Sequence, residues 1–178
     1  MIPLYILGIL LRFGPQHGYQ IRKLIEQELK GFTQIKLSNV YYHLDKMESS
    51  GILAAIREKQ EARPEKTVYY VEKTGASQFK QLLTKTLDIS YQLVFDIDAA
   101  LYFSEYIKVS ELEESLNQYI IDLKQSITEL DEHRSTILNT VSTDRKLTTN
   151  LIFNHHRMHY ETELRWAEES LKQMESNR

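Results

Sequence analysis

Between Ser38 and Lys46 the chain places a hydroxyl, an amide, two phenols, an imidazole and an ammonium within nine residues: Ser38, Asn39, Tyr41, Tyr42, His43 and Lys46. Such groups bond phosphate oxygens and the edges of bases in a major groove about as wide as one helix. Asp45 is the only carboxylate among them until Glu48. Spacing sets their direction. Leu37, Val40, Leu44 and Met47 recur at three- and four-residue steps, which predicts a helix burying that face. The opposite face then carries Ser38, Asn39, Tyr42, Lys46 and Ser49, with Tyr41 and His43 on the flanks. A merely solvated helix face has a similar composition, so the neighbouring segments decide between the two.

Gly51 can take the left-handed backbone that ends a helix. Ile52 to Glu58 reads as a strand, Lys59 to Lys66 as a polar tract, and Thr67 to Val71 as a second strand rich in β-branched and aromatic residues. The expected hairpin carries Lys59, Arg63 and Lys66 at its tip, cations suited to a sugar-phosphate backbone or a minor groove. Glu58, Glu61 and Glu65 weaken that field. Upstream, Pro3 to Phe13 is an apolar helix, Gly14 to Gly18 a turn, and Tyr19 to Leu29 a second helix burying Ile21, Leu24, Ile25 and Leu29. Three helices followed by a hairpin predict a winged helix-turn-helix.

Three motifs in order carry a resemblance. Gly14-Pro15-Gln16-His17-Gly18-Tyr19-Gln20-Ile21 comes first, then Val40-Tyr41-Tyr42-His43-Leu44 with Gly51-Ile52-Leu53, then Arg63-Pro64 before Tyr69-Tyr70 and Gly75. Over roughly residues 1 to 85 the chain resembles the PadR family of transcriptional regulators. The resemblance implies a homodimeric repressor whose third helix, Tyr41 included, meets double-stranded DNA at a pseudo-palindromic operator. It also implies a small effector that relieves repression, phenolic acids and hydrophobic drugs being known types. Candidate DNA contacts are Tyr19, Ser38, Asn39, Tyr41, Tyr42, His43, Lys46, Arg63 and Lys66. The chain departs from the family pattern at Ala62 and Glu65, where a Gly and a basic residue are usual, and at Glu72, where a Thr commonly precedes the last winged-domain helix.

All three prolines and all six glycines lie at or before Gly75, so the tail lacks strong helix breakers and should be almost wholly helical. Charge divides near the same point: residues 1–85 hold 13 Lys+Arg against 8 Asp+Glu, net +5, and residues 86–178 hold 9 against 17, net −8. The positive field thus sits on the winged part, although the chain as a whole is at −3. The expected architecture is mainly α: a winged domain over residues 1–86 with a small β-hairpin wing, then an all-helical dimerisation and effector domain over 87–178.

In that tail Leu112, Leu116, Tyr119, Leu123, Ile127, Leu130, Ile137 and Val141 form a heptad seam, expected to pair with a second chain, although an intramolecular helical hairpin would use the same spacing. A last helix from about Arg145 carries Phe153, Tyr160, Leu164, Ala167, Leu171 and Met174 on one stripe. Leu87 to Ile107 reads as a further amphipathic helix. Three such seams exceed what one small protomer can bury. Two winged domains on a two-fold axis would span half-sites about one helical turn apart.

Tyr91, Phe95, Phe153, Tyr160 and Trp166 are candidates for an effector site for a small aromatic or hydrophobic molecule, aromatics at helical spacing also being ordinary core. His155 and His159, four apart, share a helix face with His156 beside them, but no Glu follows His155 and no third ligand is spaced for a metal. A titrating or hydrogen-bonded role suits them better. The chain has no cysteine, Gly-rich phosphate loop or G-x-S-x-G turn, so neither an enzyme nor a cofactor is expected. Ile2 to Leu11 is too short to span a bilayer and lacks a basic leader, which makes the cytoplasm the expected compartment. The rival function is a winged-helix adaptor that binds protein instead of DNA.

Overall fold

The computed structural model describes residues 1–29, 38–58, 66–91 and 94–177, with the backbone alone described at Ser38, Glu58 and Lys66. It divides into two compact units, Met1–Tyr91 and Gln92–Arg178.

The first unit is built around helix α1 (Ile2–Phe13), started by Pro3 in its first turn, where a missing N–H costs nothing. Leu4, Ile6, Leu7, Ile9 and Leu10 are all buried, so nearly the whole circumference is covered. Helices α2 (Gly18–Glu28) and α3 (Ser38–Ser49) pack on it, as does α4 (Lys73–Lys85). Ile21 and Ile25 of α2 meet Val40, Leu44 and Met47 of α3 in one apolar cluster with α1, closed by Leu53 and Tyr69. The expected inward faces are therefore the buried ones; Leu37 lies outside the described residues.

Strands β2 (Leu53–Glu58) and β3 (Lys66–Val71) pair antiparallel, Leu53 opposite Val71 and Glu58 opposite Lys66. The segment Gly14 to Gly18, expected as a plain turn, also holds a two-residue strand β1 (Gln16–His17) that pairs with β3, giving the order β1-β3-β2. A two-residue strand lacks the length to show alternation, which hid it among turn residues.

Two glycines hold this unit together. Gly51, at φ 69°, closes α3: its N–H donates to the Glu48 carbonyl at 3.0 Å and that of Ile52 to Met47 at 3.0 Å. Gly75 lets α4 approach the start of β2 so closely that a β-carbon there would lie 2.3 Å from the Ile52 carbonyl oxygen. Glu72, the N-cap of α4, makes no side-chain capping bond, while Thr74 two residues on donates its hydroxyl to the Gly51 carbonyl at 2.7 Å.

The second unit is a helical hairpin. Helix α6 (Val109–Thr140) and helix α7 (Lys146–Ser176) run antiparallel, as their cross-links require: Tyr119 to Glu163, Asp131 to Arg157, and His133 edge-on to Phe153. Leu116, Leu123 and Leu130, one per heptad, are buried together with Phe153 and Ala167. The expected helix over Leu87 to Ile107 is corrected. Among the described residues of this segment, α5 (Ile97–Tyr102) and a 3₁₀ turn at Ser104–Tyr106 are the helical parts, and Leu87, Ile89 and Val94 are exposed. Short helices owe most of their stability to tertiary packing, which these exposed side chains do not supply.

Candidate nucleic-acid interface

Helix α3 presents a polar stripe because its apolar residues are consumed by the core. With Val40 and Leu44 fully buried, Asn39, Tyr42 and Lys46 at steps of three and four emerge on the far side, and all three are exposed, Tyr42 by 63%. Tyr42 stands edge-on to the half-buried His43, ring centres 5.3 Å apart. Two adjacent rings supporting each other restrict a side chain that would otherwise sample solvent freely.

Tyr41, on the flank, leans toward α2. A β-carbon at Gly18 would meet its ring at 3.0 Å, so the absence of a side chain there makes room for the phenol. Tyr19, also exposed, stacks on His17 with rings 5.8 Å apart and nearly parallel. His17 in turn faces the Thr67 carbonyl of β3 through Nδ1 at 3.4 Å, and its backbone N–H donates to the Gln20 side chain at 3.1 Å. Tyr19 is thereby held at the first turn of α2, where a helix end favours phosphate. Reading the sequence did not find His17, Gln20 or Thr67 as positioning residues; the pairing of β1 with β3 is what brings them together.

Charge around the stripe is partly neutralised inside the fold. Glu48 accepts from the Arg57 guanidinium of β2 at 2.8 Å, which ties the end of α3 to the base of the hairpin and offsets the acid. Lys46 has no ion pair among the described residues. Tyr69, buried beneath α3, has its phenol pushed above the usual range by burial and then by the carboxylates of Asp45 and Glu48. Ser38's side chain, Arg63 and the Lys66 side chain lie outside the described residues, as do Ala62 and Glu65, so of the expected contacts the structure places Tyr19, Asn39, Tyr41, Tyr42, His43 and Lys46.

Residues 6–81 match the model of the Transcriptional regulator PadR-like family. The chain carries the PadR-like domain. Bacillus subtilis PadR solved in complex with operator DNA superposes on this PadR-like chain with a TM-score of 0.77 at 21% identity, covering 97% of this chain and 96% of that one. The same protein in complex with p-coumaric acid gives a TM-score of 0.75 at 19% identity, covering 98% and 99%. The Vibrio cholerae virulence activator AphA gives 0.77 at 17% identity over the full length of both chains. These likenesses extend the shared fold through both units. No curated protein matches the chain by sequence comparison.

The helical unit places its candidate residues less as expected. Leu116, Leu123 and Leu130 are spent on α7 of the same chain, with Leu112 and Ile127 half-buried and Tyr119 exposed beside Glu163. Of the five aromatics, Phe95 and Trp166 line one cleft, whereas Phe153 is buried against His133, and Tyr91 and Tyr160 lie away from the cleft wall. His155 and His159 meet through their Nε2 atoms at 3.1 Å, and His156 has its pKa lowered by burial and then by those two neighbours. Among the described residues no group of three His, Cys, Asp or Glu is gathered for a metal ion, and no helix is long and apolar enough to cross a membrane.

Proposed function

We propose that this chain is a sequence-specific DNA-binding transcriptional regulator that represses as a homodimer and is released by a small effector. The observation that carries it is the α3 stripe of Asn39, Tyr42 and Lys46, exposed on a domain whose PadR-like fold is otherwise buried into a single core. Asn39 reads a base edge, Lys46 neutralises a phosphate, and Tyr19, Tyr41 and Tyr42 hold the backbone. Support for DNA as the partner and for an aromatic effector comes from the B. subtilis PadR complexes with operator DNA and with p-coumaric acid. A DNA-binding regulator of this kind acts in the cytoplasm.

Dimerisation falls on a surface other than the heptad seam. Along α7, Leu147, Leu151 and Met158 form a second apolar stripe turned away from the row of buried Phe153 and Ala167 and half-buried Leu164, and all three are exposed. A helix apolar on two opposite faces needs two partners. The α6 seam supplies one within the chain, and a second protomer supplies the other. Two α3 stripes on a two-fold axis then address a pseudo-palindrome.

Selection of genomic fragments on the full chain, followed by sequencing, tests this reading. Recovery of a common inverted repeat is the expected result. Recovery of fragments with no shared sequence would contradict it.

A further inference from the structure

The helical unit contains a cleft of about 480 Å³ whose lining is aromatic and acidic. Phe95, Tyr119 and Trp166 provide ring surfaces, Asp96 and Glu163 provide carboxylates, and among the described residues the lining includes no Lys, Arg or His. That volume lies within the range of small-molecule sites, which combine apolar walls with a few placed polar groups.

Charge decides what such a site accepts. Glu163 takes the Tyr119 hydroxyl on Oε2 at 3.2 Å, which fixes the carboxylate in place and leaves its other oxygen for a second donor. Asp96 sits at the N-cap position of α5 yet makes no side-chain capping bond. Lys124 pairs with Glu168 at 2.8 Å and Arg157 with Asp131 and Glu161, and neither these two nor Arg165 lines the cleft. The surrounding half of the chain is itself net −8. A ring bearing a carboxylate would meet two like charges with no counter-ion, whereas a ring bearing an ammonium would gain both carboxylates and the negative faces of the indole and phenol rings.

We propose that this cleft binds an aromatic organic cation, an amine on a ring system of one or two rings, and discriminates against aromatic carboxylic acids. The ring lies between Phe95 and Trp166, and the ammonium reaches Asp96 and Glu163. This deepens the regulator reading by naming its effector class, and it rests on that reading only for the effect on DNA. The p-coumaric acid of the B. subtilis relative is an aromatic acid, so the two proteins are expected to answer to ligands of opposite charge.

Trp166 is the sole tryptophan of the chain, so its emission reports on the cleft without labelling. The test titrates the full chain, free of DNA, with 4-phenylbutylamine and with 4-phenylbutyrate, following Trp166 emission and confirming by calorimetry. The amine is expected to bind at least about tenfold more tightly than the acid, because attraction by two carboxylates and by the ring faces is replaced by repulsion. Asp96→Asn and Glu163→Gln keep the shape, and in the double variant the gap should shrink to within about threefold as that Coulomb difference is removed. Circular dichroism of each variant checks that the hairpin remains folded. Equal affinity for both probes, preference for the acid, binding of neither because a second protomer fills the cleft, or a preference that survives in a folded double variant would each overturn the proposal. None of these bears on whether α3 binds DNA, which fragment selection reads separately.

Discussion

At the scale of single residues, the winged unit depends on close approaches that side chains would prevent. Gly75→Ala forces a β-carbon against the Ile52 carbonyl oxygen, a backbone atom that cannot swing away, and overpacking of this kind costs about 1–3 kcal/mol. Gly51→Ala meets no neighbour but must hold a positive φ, at about 1 kcal/mol. Chemical denaturation of both variants should therefore rank Gly75→Ala as the more destabilised. His156 sets a pH dependence. Its folded pKa lies below its ordinary 6.5 because burial, then His155 and His159, disfavour the imidazolium. Below that value the unfolded chain binds more protons than the folded one, so stability falls as pH drops from 6.5 through the folded pKa. A melting series from pH 7.5 downward should show a slope that His156→Gln flattens; an unchanged slope would remove His156 from the account.

Among elements, α3 and α7 each present two faces with different work. On α3 the inner face is core and the outer face is the proposed reading surface, so Asn39→Ala should leave the melting temperature unchanged while relaxing sequence preference at one position of the selected site by about 1–3 kcal/mol. On the helical hairpin, Leu123→Ala opens a cavity at a side chain only 5% exposed and should destabilise the unit by about 2–5 kcal/mol. Leu151→Asp, at a side chain 57% exposed in the single chain, should leave the fold intact and shift sedimentation from dimer to monomer. A dimer that persists in Leu151→Asp would move the interface off the outer face of α7. Long periodic elements were legible in the sequence because burial repeats along them: α1, α2 and α3 turn their selected apolar faces to the core, and α6 and α7 bury Leu116, Leu123, Leu130, Phe153 and Ala167 from their expected rows while Tyr119 stays exposed. Elements decided by contact at a distance were not. Strand β1 exists through its pairing with β3, the segment after α4 leaves the apolar side chains of Leu87, Ile89 and Val94 exposed, and the heptad row could not say whose helix it would meet. The α3 stripe was readable for the same reason as the core, being its complement, whereas Tyr119 and Glu163 meet only because α6 and α7 fold back on each other.

Taken whole, the molecule separates a basic reading unit from an acidic helical unit, net +5 over residues 1–85 and −8 over 86–178. Overall negative charge would repel a polyanion if it were evenly spread; its partition leaves the winged unit with a net positive field that favours encounter with DNA. The acidic half also draws organic cations toward the cleft, so one charge distribution serves both ligands. The account stands or falls on phosphate neutralisation at the outer face of α3. Measured on a selected fragment, the affinity of the parent should fall steeply with rising salt, and that of Lys46→Ala should be weaker with a slope shallower by about one counter-ion per half-site. An affinity indifferent to salt, or a Lys46→Ala variant with the parent's affinity and slope, would contradict it.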